Sequence, residues 1–212
     1  ASALYAMLGI PLWLGYILCA IAVIPIVTRG ITLISTFQVG TQTLWLTLQC
    51  TALALVAWFE FARVDDWAAY MPDGTTSVGV SDFSLGLFGA SAAVLFSLVA
   101  QIGEQVDYLR FMPEKTKTNA RRWWFWLSLA GPGWILIGII KMLLGSFLAY
   151  IAITAGDSPE RAADPTYMYQ MVFNYISSSP TLSLVLAGLM VVISQMKINI
   201  TKAYAGSIAW SN

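Results

Sequence analysis

Histidine is missing from the 212-residue chain, cysteine occurs twice, and charged side chains make up only 10% of it. Each shortage removes a class of answers. Without histidine no His-ligated metal site can form. Cys19 and Cys50 both stand in apolar runs, where they fit small hydrophobic fillers better than a disulfide framework. Eleven basic residues balance eleven acidic ones, so there is no basic face for nucleic acid. No nucleophile–base pair, metal cluster or phosphate loop is recognisable, which leaves no basis for an enzyme, a catalytic residue or a cofactor. The scarcity of charge is the strongest of these signals: ordinary soluble domains carry about 25% charged residues. With 58% hydrophobic residues beside it, the composition is that of a protein whose partner is the lipid bilayer. The chain starts at Ala1 without a methionine or signal-peptide pattern and closes on SIAWSN without a cap, so it reads as a piece of something longer.

Apolar runs near twenty residues give five candidate spans, at about 8–28, 41–60, 83–109, 123–153 and 181–205. Apolar residues run around the whole circumference of each, as expected for an all-α polytopic transmembrane bundle and not for a soluble one. Pro11 is placed to start the first helix and Pro25 to kink it near its end; Gly131, Pro132 and Gly133 mark a second kink. The linker RFMPEKTKTNARR carries five basic residues, and Arg29 follows the first span. The linkers 61–82 and 154–180 hold only Arg63 and Arg161 among seven acidic residues. The basic linker is therefore cytoplasmic, which makes this a multi-pass protein of the inner (plasma) membrane. Trp123, Trp124 and Trp126 beside that linker, and Trp58 and Trp67 beside the acidic one, read as interfacial anchors.

One residue breaks the apolar pattern. The run TLSLVLAGLMVVIS leads into QMKINITK, so Lys197 lies roughly 24 Å below the outer end of its span at 1.5 Å per residue. A charge at that depth costs from about 3 to more than 10 kcal/mol by different measures, and such residues usually face a bundle interior with a partner. The bland alternative is a lysine stem lying along lipid with its ammonium lifted to the interface, as expected for Lys202. The third span offers a counter-charge at similar depth: Gln101, Glu104 and Gln105 share a helical face, with Gly103 between them. Glu104 is the natural partner of Lys197, while Asp107 and Arg110 read as an ion pair at the cytoplasmic edge. In the fifth span Gln195 and Asn199 stack on one side, and Lys197 and Thr201 on another. Such amides either line a polar cavity for a small, flat, hydrogen-bonding ligand or serve as interhelical hydrogen bonds. Lys141 lies about 15 Å from the outer end of the fourth span, where it can reach water or pair locally.

The segments VTRGITLISTFQVGTQTLWL, QIGEQVDYLRFMP and QMKINITKAYAGSIAWSN together resemble the purine and cytosine permeases of the nucleobase-cation-symport family. The likeness covers the chain as that family's fourth to eighth helices, with Asp107, Arg110 and the run Tyr204, Ala205, Gly206, Ser207 as its main markers. It implies the inverted-repeat fold of the leucine-transporter type, with substrate near the bilayer midplane. In that family the site is shared by the first, third, sixth and eighth helices, of which the sixth and eighth are spans three and five. The resemblance therefore implies a heterocyclic substrate bound by Gln101, Glu104, Gln105 and Asn199, with Phe96 as the nearest aromatic. It implies a coupling site around Lys197, Glu104 and Thr201. Sodium-coupled members present two small hydroxyl residues and then asparagine on the eighth helix. Here the triplet is Lys197, Ile198, Asn199, so an ammonium stands where the ion would. Sodium coupling through this site is not expected; coupling to a proton, uniport and exchange stay open. A second class fits the same residues: a transporter-like sensing domain joined to a C-terminal histidine-kinase module. In that reading Lys197 fixes one conformation, and ligand binding at Gln101, Glu104 and Asn199 biases a two-state element.

Overall fold

A computed structural model describes residues 1–70 and 85–211 of the chain, apart from the side chains of residues 87 and 97–102. Helices dominate, and no strand occurs among the described residues. The helices are α1 (Ser2–Leu8), α2 (Leu12–Thr28), α3 (Ile31–Phe59), α4 (Val64–Ala69), α5 (Leu85–Leu109), α6 (Ala120–Ala130), α7 (Gly133–Thr154), α8 (Pro159–Ala162), α9 (Pro165–Phe173) and α10 (Pro180–Ser211), with a 3-10 turn at Phe61–Arg63. Three stretches among the described residues are long and apolar enough to cross a bilayer: α3, the stretch Ala120–Thr154 and α10. The pair α1 and α2 makes a fourth if its 114° bend lies within one span.

Several boundaries differ from the sequence expectation, each for a local reason. The run 8–28 does not form one helix. Gly9 caps α1 in the left-handed conformation at φ 68°, and Pro11 precedes α2, so the chain turns between them. Pro25 lies inside α2, three residues before its end. α3 begins ten residues earlier than the expected 41, taking in the polar run STFQ. The hydroxyls there return to their own helix, Thr36 donating to Thr32 O at 2.9 Å and Thr41 to Phe37 O at 2.8 Å. They need no water, and the helix can continue through them. Of the run 83–109 the described residues, 85–109, form α5, with part of their side chains outside the description.

The chain divides into two compact units, Ala1–Ala68 with Gly145–Asn212, and Ala69–Leu144. In the first, α10 packs against α1, α2, α3 and α9. Its inward face is small where helices approach: Ser183 and Ala187 are fully buried, followed by Met190 and Val191. A side chain at Gly188 would collide with Met7, so α1 crosses α10 at that glycine. α3 contributes Ile34, Leu48, Ala52 and Val56, and the second half of α7 contributes Phe147, Leu148 and Ile151. In the second unit α5 meets α6, with Leu109 reaching toward Gly131. The expected break at Gly131–Pro132 separates α6 from α7. A β-carbon at Gly131 or Gly133 would stand 2.8 Å from the carbonyl of Leu127 or Ser128, so backbone atoms enforce glycine at both positions. Asp107 and Arg110 do not form the expected ion pair; the Arg110 guanidinium lies 5.0 Å from the Phe111 ring centre instead. Trp67 is likewise more than an anchor, donating to Ser146 Oγ at 3.2 Å and meeting Phe147 edge-on.

The end of α3 opposite Lys197 is closed by polar side chains. Asp164 caps α9 by accepting from Thr166 N and Tyr167 N, with Pro165 at the first helical position. From α9 the Tyr169 hydroxyl donates to buried Gln49 of α3 at 3.0 Å. Past α9, the Tyr175 hydroxyl donates to the Glu60 carboxylate, whose other oxygen lies 3.3 Å from Arg63. Arg63 donates in turn to Thr154 at the end of α7. Phe59 stacks on Tyr175 with ring centres 4.5 Å apart, and Ser183 donates to Asn174 Oδ1 at 2.5 Å. Partial burial, and then the hydrogen bond to the Glu60 carboxylate, push the Tyr175 hydroxyl up to about 12.

Because this pKa lies above the ordinary value of 10.0, the neutral hydroxyl is the stabilising form. Its contribution is complete below about pH 10 and disappears as pH rises through about 12. Tyr175→Phe keeps the stacked ring and removes the donor. It is expected to cost about 1 to 2 kcal/mol near neutral pH and to remove this component of the alkaline transition, both read from melting of the detergent-purified protein against pH. An unchanged alkaline profile in Tyr175→Phe would show that the contact carries no such linkage.

Candidate functional site

Lys197 lies 17 residues into α10, about 26 Å from its start. Its Nζ donates to three oxygens of α3: Gln38 O at 2.8 Å, Gln42 Oε1 at 3.0 Å and Thr41 Oγ1 at 3.2 Å. An ammonium has three donors, and all three are used. The bond is returned from the other side. Gln38 Nε2 donates to the Lys197 carbonyl at 3.2 Å, so each residue binds the other's backbone through its own side chain. Thr201 donates to the same Lys197 carbonyl at 3.1 Å. Since Gln38 meets Lys197 and Gln49 meets α9 just before α10, the two long helices run antiparallel.

The sequence produces this cluster by spacing. Gln38, Thr41 and Gln42 stand at i, i+3 and i+4 and so share one face of α3. Lys197 and Thr201 stand four apart on α10. None of the three acceptors carries a charge, so the positive charge is spread over neutral dipoles: a carbonyl, an amide and a hydroxyl. Lys197 is half-buried, and its ammonium is held across the seam by α3. The site can hold one cation with neutral oxygen ligands, and the lysine supplies that cation covalently.

The residues expected to form a site are not all in one place. Lys197 and Thr201 come together, and within their own unit the ammonium's partners are those oxygens of α3; Glu104, its expected counter-charge, belongs to the second unit. Asn199 and Gln195 are exposed on α10, away from the Lys197 seam. Glu104 and Gln105 are half-buried on α5, and Phe96 is 73% exposed there. These three belong to the second unit, which is described by itself, and the side chain of Gln101 lies outside the described residues. Gln38, Thr41 and Gln42, which hold the ammonium, are not among the residues that the sequence singles out. The signal was available in their helical spacing, but hydropathy alone puts Gln38 in a linker and leaves Thr41 and Gln42 at the very start of the span 41–60. A cavity of about 10 Å³ lies near the other end of α3, between Glu60, Tyr175 and Leu148, with room for about one water.

A double-mutant cycle tests whether the oxygens serve the charge. Gln42→Leu is expected to destabilise the wild-type protein by about 1.5 to 3 kcal/mol, since it strips an acceptor from a desolvated ammonium. In a Lys197→Met background the same change is expected to cost little, giving a coupling of about 1 to 2 kcal/mol. Additive effects, measured by denaturant titration in detergent, would mean that the contact is incidental. Comparisons of the chain with protein-family models, with curated proteins and with solved structures found no match in any of the three.

Proposed function

We propose that the chain is part of a secondary transporter for a nucleobase or related nitrogen heterocycle, of the purine and cytosine permease type, in which the Lys197 ammonium replaces a coupling sodium ion. The observation that carries this reading is the ligand set around Nζ. A backbone carbonyl, a threonine hydroxyl and an amide oxygen are the neutral, hard donors that transporter helices offer to a bound alkali cation. A cation tethered to α10 cannot leave. The seam between α3 and α10 is then held permanently in the arrangement that elsewhere depends on ion binding, and the pair moves as one body during alternating access. Sodium has no role at this site; uniport, exchange or coupling to a proton follows. The substrate positions of the proposal remain Gln101, Glu104 and Gln105 of α5 and Asn199 of α10, with Phe96 as the aromatic. Amides and a carboxylate suit the alternating donors and acceptors on the edge of a heterocycle.

The reciprocal bonds between Gln38 and Lys197 also favour a second reading, since a seam locked in one state suits a sensing domain that reports ligand to a C-terminal signalling module. Flux into proteoliposomes separates the two.

Binding of purines, pyrimidines and hydantoins to the detergent-purified full-length protein is expected to be the same in sodium and in potassium. In Lys197→Ala the three oxygens lose their cation, and sodium is expected to raise the melting temperature of that variant while leaving the wild type unchanged. Wild-type binding that requires sodium would overturn the replacement, and binding of no heterocycle in the panel would overturn the substrate class.

A further inference from the structure

The second unit holds an open groove of about 510 Å³ that crosses the break between α6 and α7. It is shallow and widely open, so it would cover one side of a long ligand and not enclose a compact one. Arg121, Trp124, Phe125, Ser128 and Leu129 line it from α6, and Gly133 and Leu136 continue it onto the first turn of α7. The α6 residues stand at i, i+3, i+4, i+7 and i+8, so they form one continuous face. The groove is thus graded along its length: a guanidinium at one end, indole and phenyl rings next, a hydroxyl halfway, then aliphatic side chains. Gly133 has no side chain to fill the floor, and the nearby Ser128 carbonyl forbids one. A second cation attends the mouth, because Lys115 Nζ lies 5.0 Å from the centre of the Trp124 ring. Arg122, Lys117 and Arg110 add positive charge in the same stretch, against Glu114 alone.

We infer that this groove seats one anionic phospholipid, its headgroup phosphate on Arg121 and an acyl chain along Trp124, Phe125, Leu129 and Leu136. The gradient from charge to ring to aliphatic surface matches a phospholipid read from phosphate to tail. A free phosphate would have no use for the apolar length. The charge of the mouth selects the anionic headgroup over the zwitterionic one, and a basic cleft beside a membrane helix on the cytoplasmic side faces the leaflet where such lipids reside. Arginine suits the role because its planar fork can grip two phosphate oxygens at once. The inference rests on the membrane reading and not on the transported substrate, so it stands or falls apart from the heterocycle proposal.

The test uses the detergent-purified full-length protein with dioleoylphosphatidylglycerol or dioleoylphosphatidylcholine at equal concentration. Native mass spectrometry counts retained lipid, and melting temperature reads stabilisation. One phosphatidylglycerol is expected to be retained in preference to phosphatidylcholine and to raise the melting temperature. Arg121→Gln is expected to lose both effects, whereas Arg122→Gln, one residue away and outside the groove, keeps them. Ser128→Trp, which fills the groove and leaves every charge in place, is expected to lose the retained lipid. Equal loss in Arg121→Gln and Arg122→Gln would overturn the inference in favour of diffuse surface charge. Indistinguishable lipids would overturn it in favour of a groove covered by protein, and equal stabilisation by inorganic phosphate would reduce it to an anion site. Arg121 and Ser128 are exposed, so their replacement is compatible with folding, and unchanged melting of the lipid-free variants verifies it.

Discussion

An ammonium group far inside an apolar helix must be given oxygen, and most of the first unit is arranged as if that demand had been met first. A charged side chain in apolar surroundings is costly unless oxygens meet it, so α3 lies against α10 at the one height where three of its oxygens converge on Lys197. Because two of the bonds involve backbone carbonyls, Gln38 O and Lys197 O, the register is set by main-chain position as much as by side-chain choice. A slip of one helical turn, about 5.4 Å, would break them together. Lipid provides no hydrophobic force to bring helices together, so such directional contacts and close packing decide which surfaces meet.

The rest of the α3 seam follows from that fixed point. Gln38, Gln42, Trp45, Gln49, Ala52, Val56 and Glu60 recur at steps of four or three, tracing a single stripe. Its glutamines and its glutamate each find a partner on another element: Lys197, then Tyr169, then Tyr175. Between them the stripe narrows to buried Ala52, and the inward face of α10 is likewise small, with Ser183 and Ala187 buried. Polar ties hold the two ends and small residues let the middle close. The ties at the Glu60 end involve a carboxylate that is itself only 8% exposed, so Arg63 and Tyr175 are needed to make its burial tolerable.

The sequence made the helical class, the break at Gly131–Pro132 and the oddity of Lys197 legible, because each depends on local properties: a run of apolar side chains, a missing amide proton, a charge out of place. It misassigned what depends on partners. Residues 31–40 look like a linker because serine, threonine and glutamine lower the hydropathy, yet their hydroxyls bond within the helix and Gln38 bonds across it. A depth argument points to Glu104 as the counter-charge because charge seeks charge, and it is silent on the neutral oxygens of α3. Neutral oxygens can serve equally well when three of them converge, and that convergence is a property of two helices, visible in neither alone. Asn199 illustrates the same limit, since helical spacing places it opposite Lys197 but says nothing of what lies on that side.

The glycines on either side of Pro132 have one more consequence, which concerns length. The stretch Ala120–Thr154 has 35 residues, which as continuous helix is about 52 Å, against about 30 Å of hydrocarbon and 40 to 45 Å including headgroups. At the usual tilt of about 20° it remains too long to hide. Crossing a bilayer, it would have to lean further or let one end emerge among the headgroups, and the end that carries Arg121 and Arg122 is suited to emerging. The Gly131–Pro132 break divides the surplus: α7 alone, at 22 residues, is about 33 Å long and matches the hydrocarbon, while α6 accounts for the overhang. Hydrophobic mismatch is thereby concentrated at one joint.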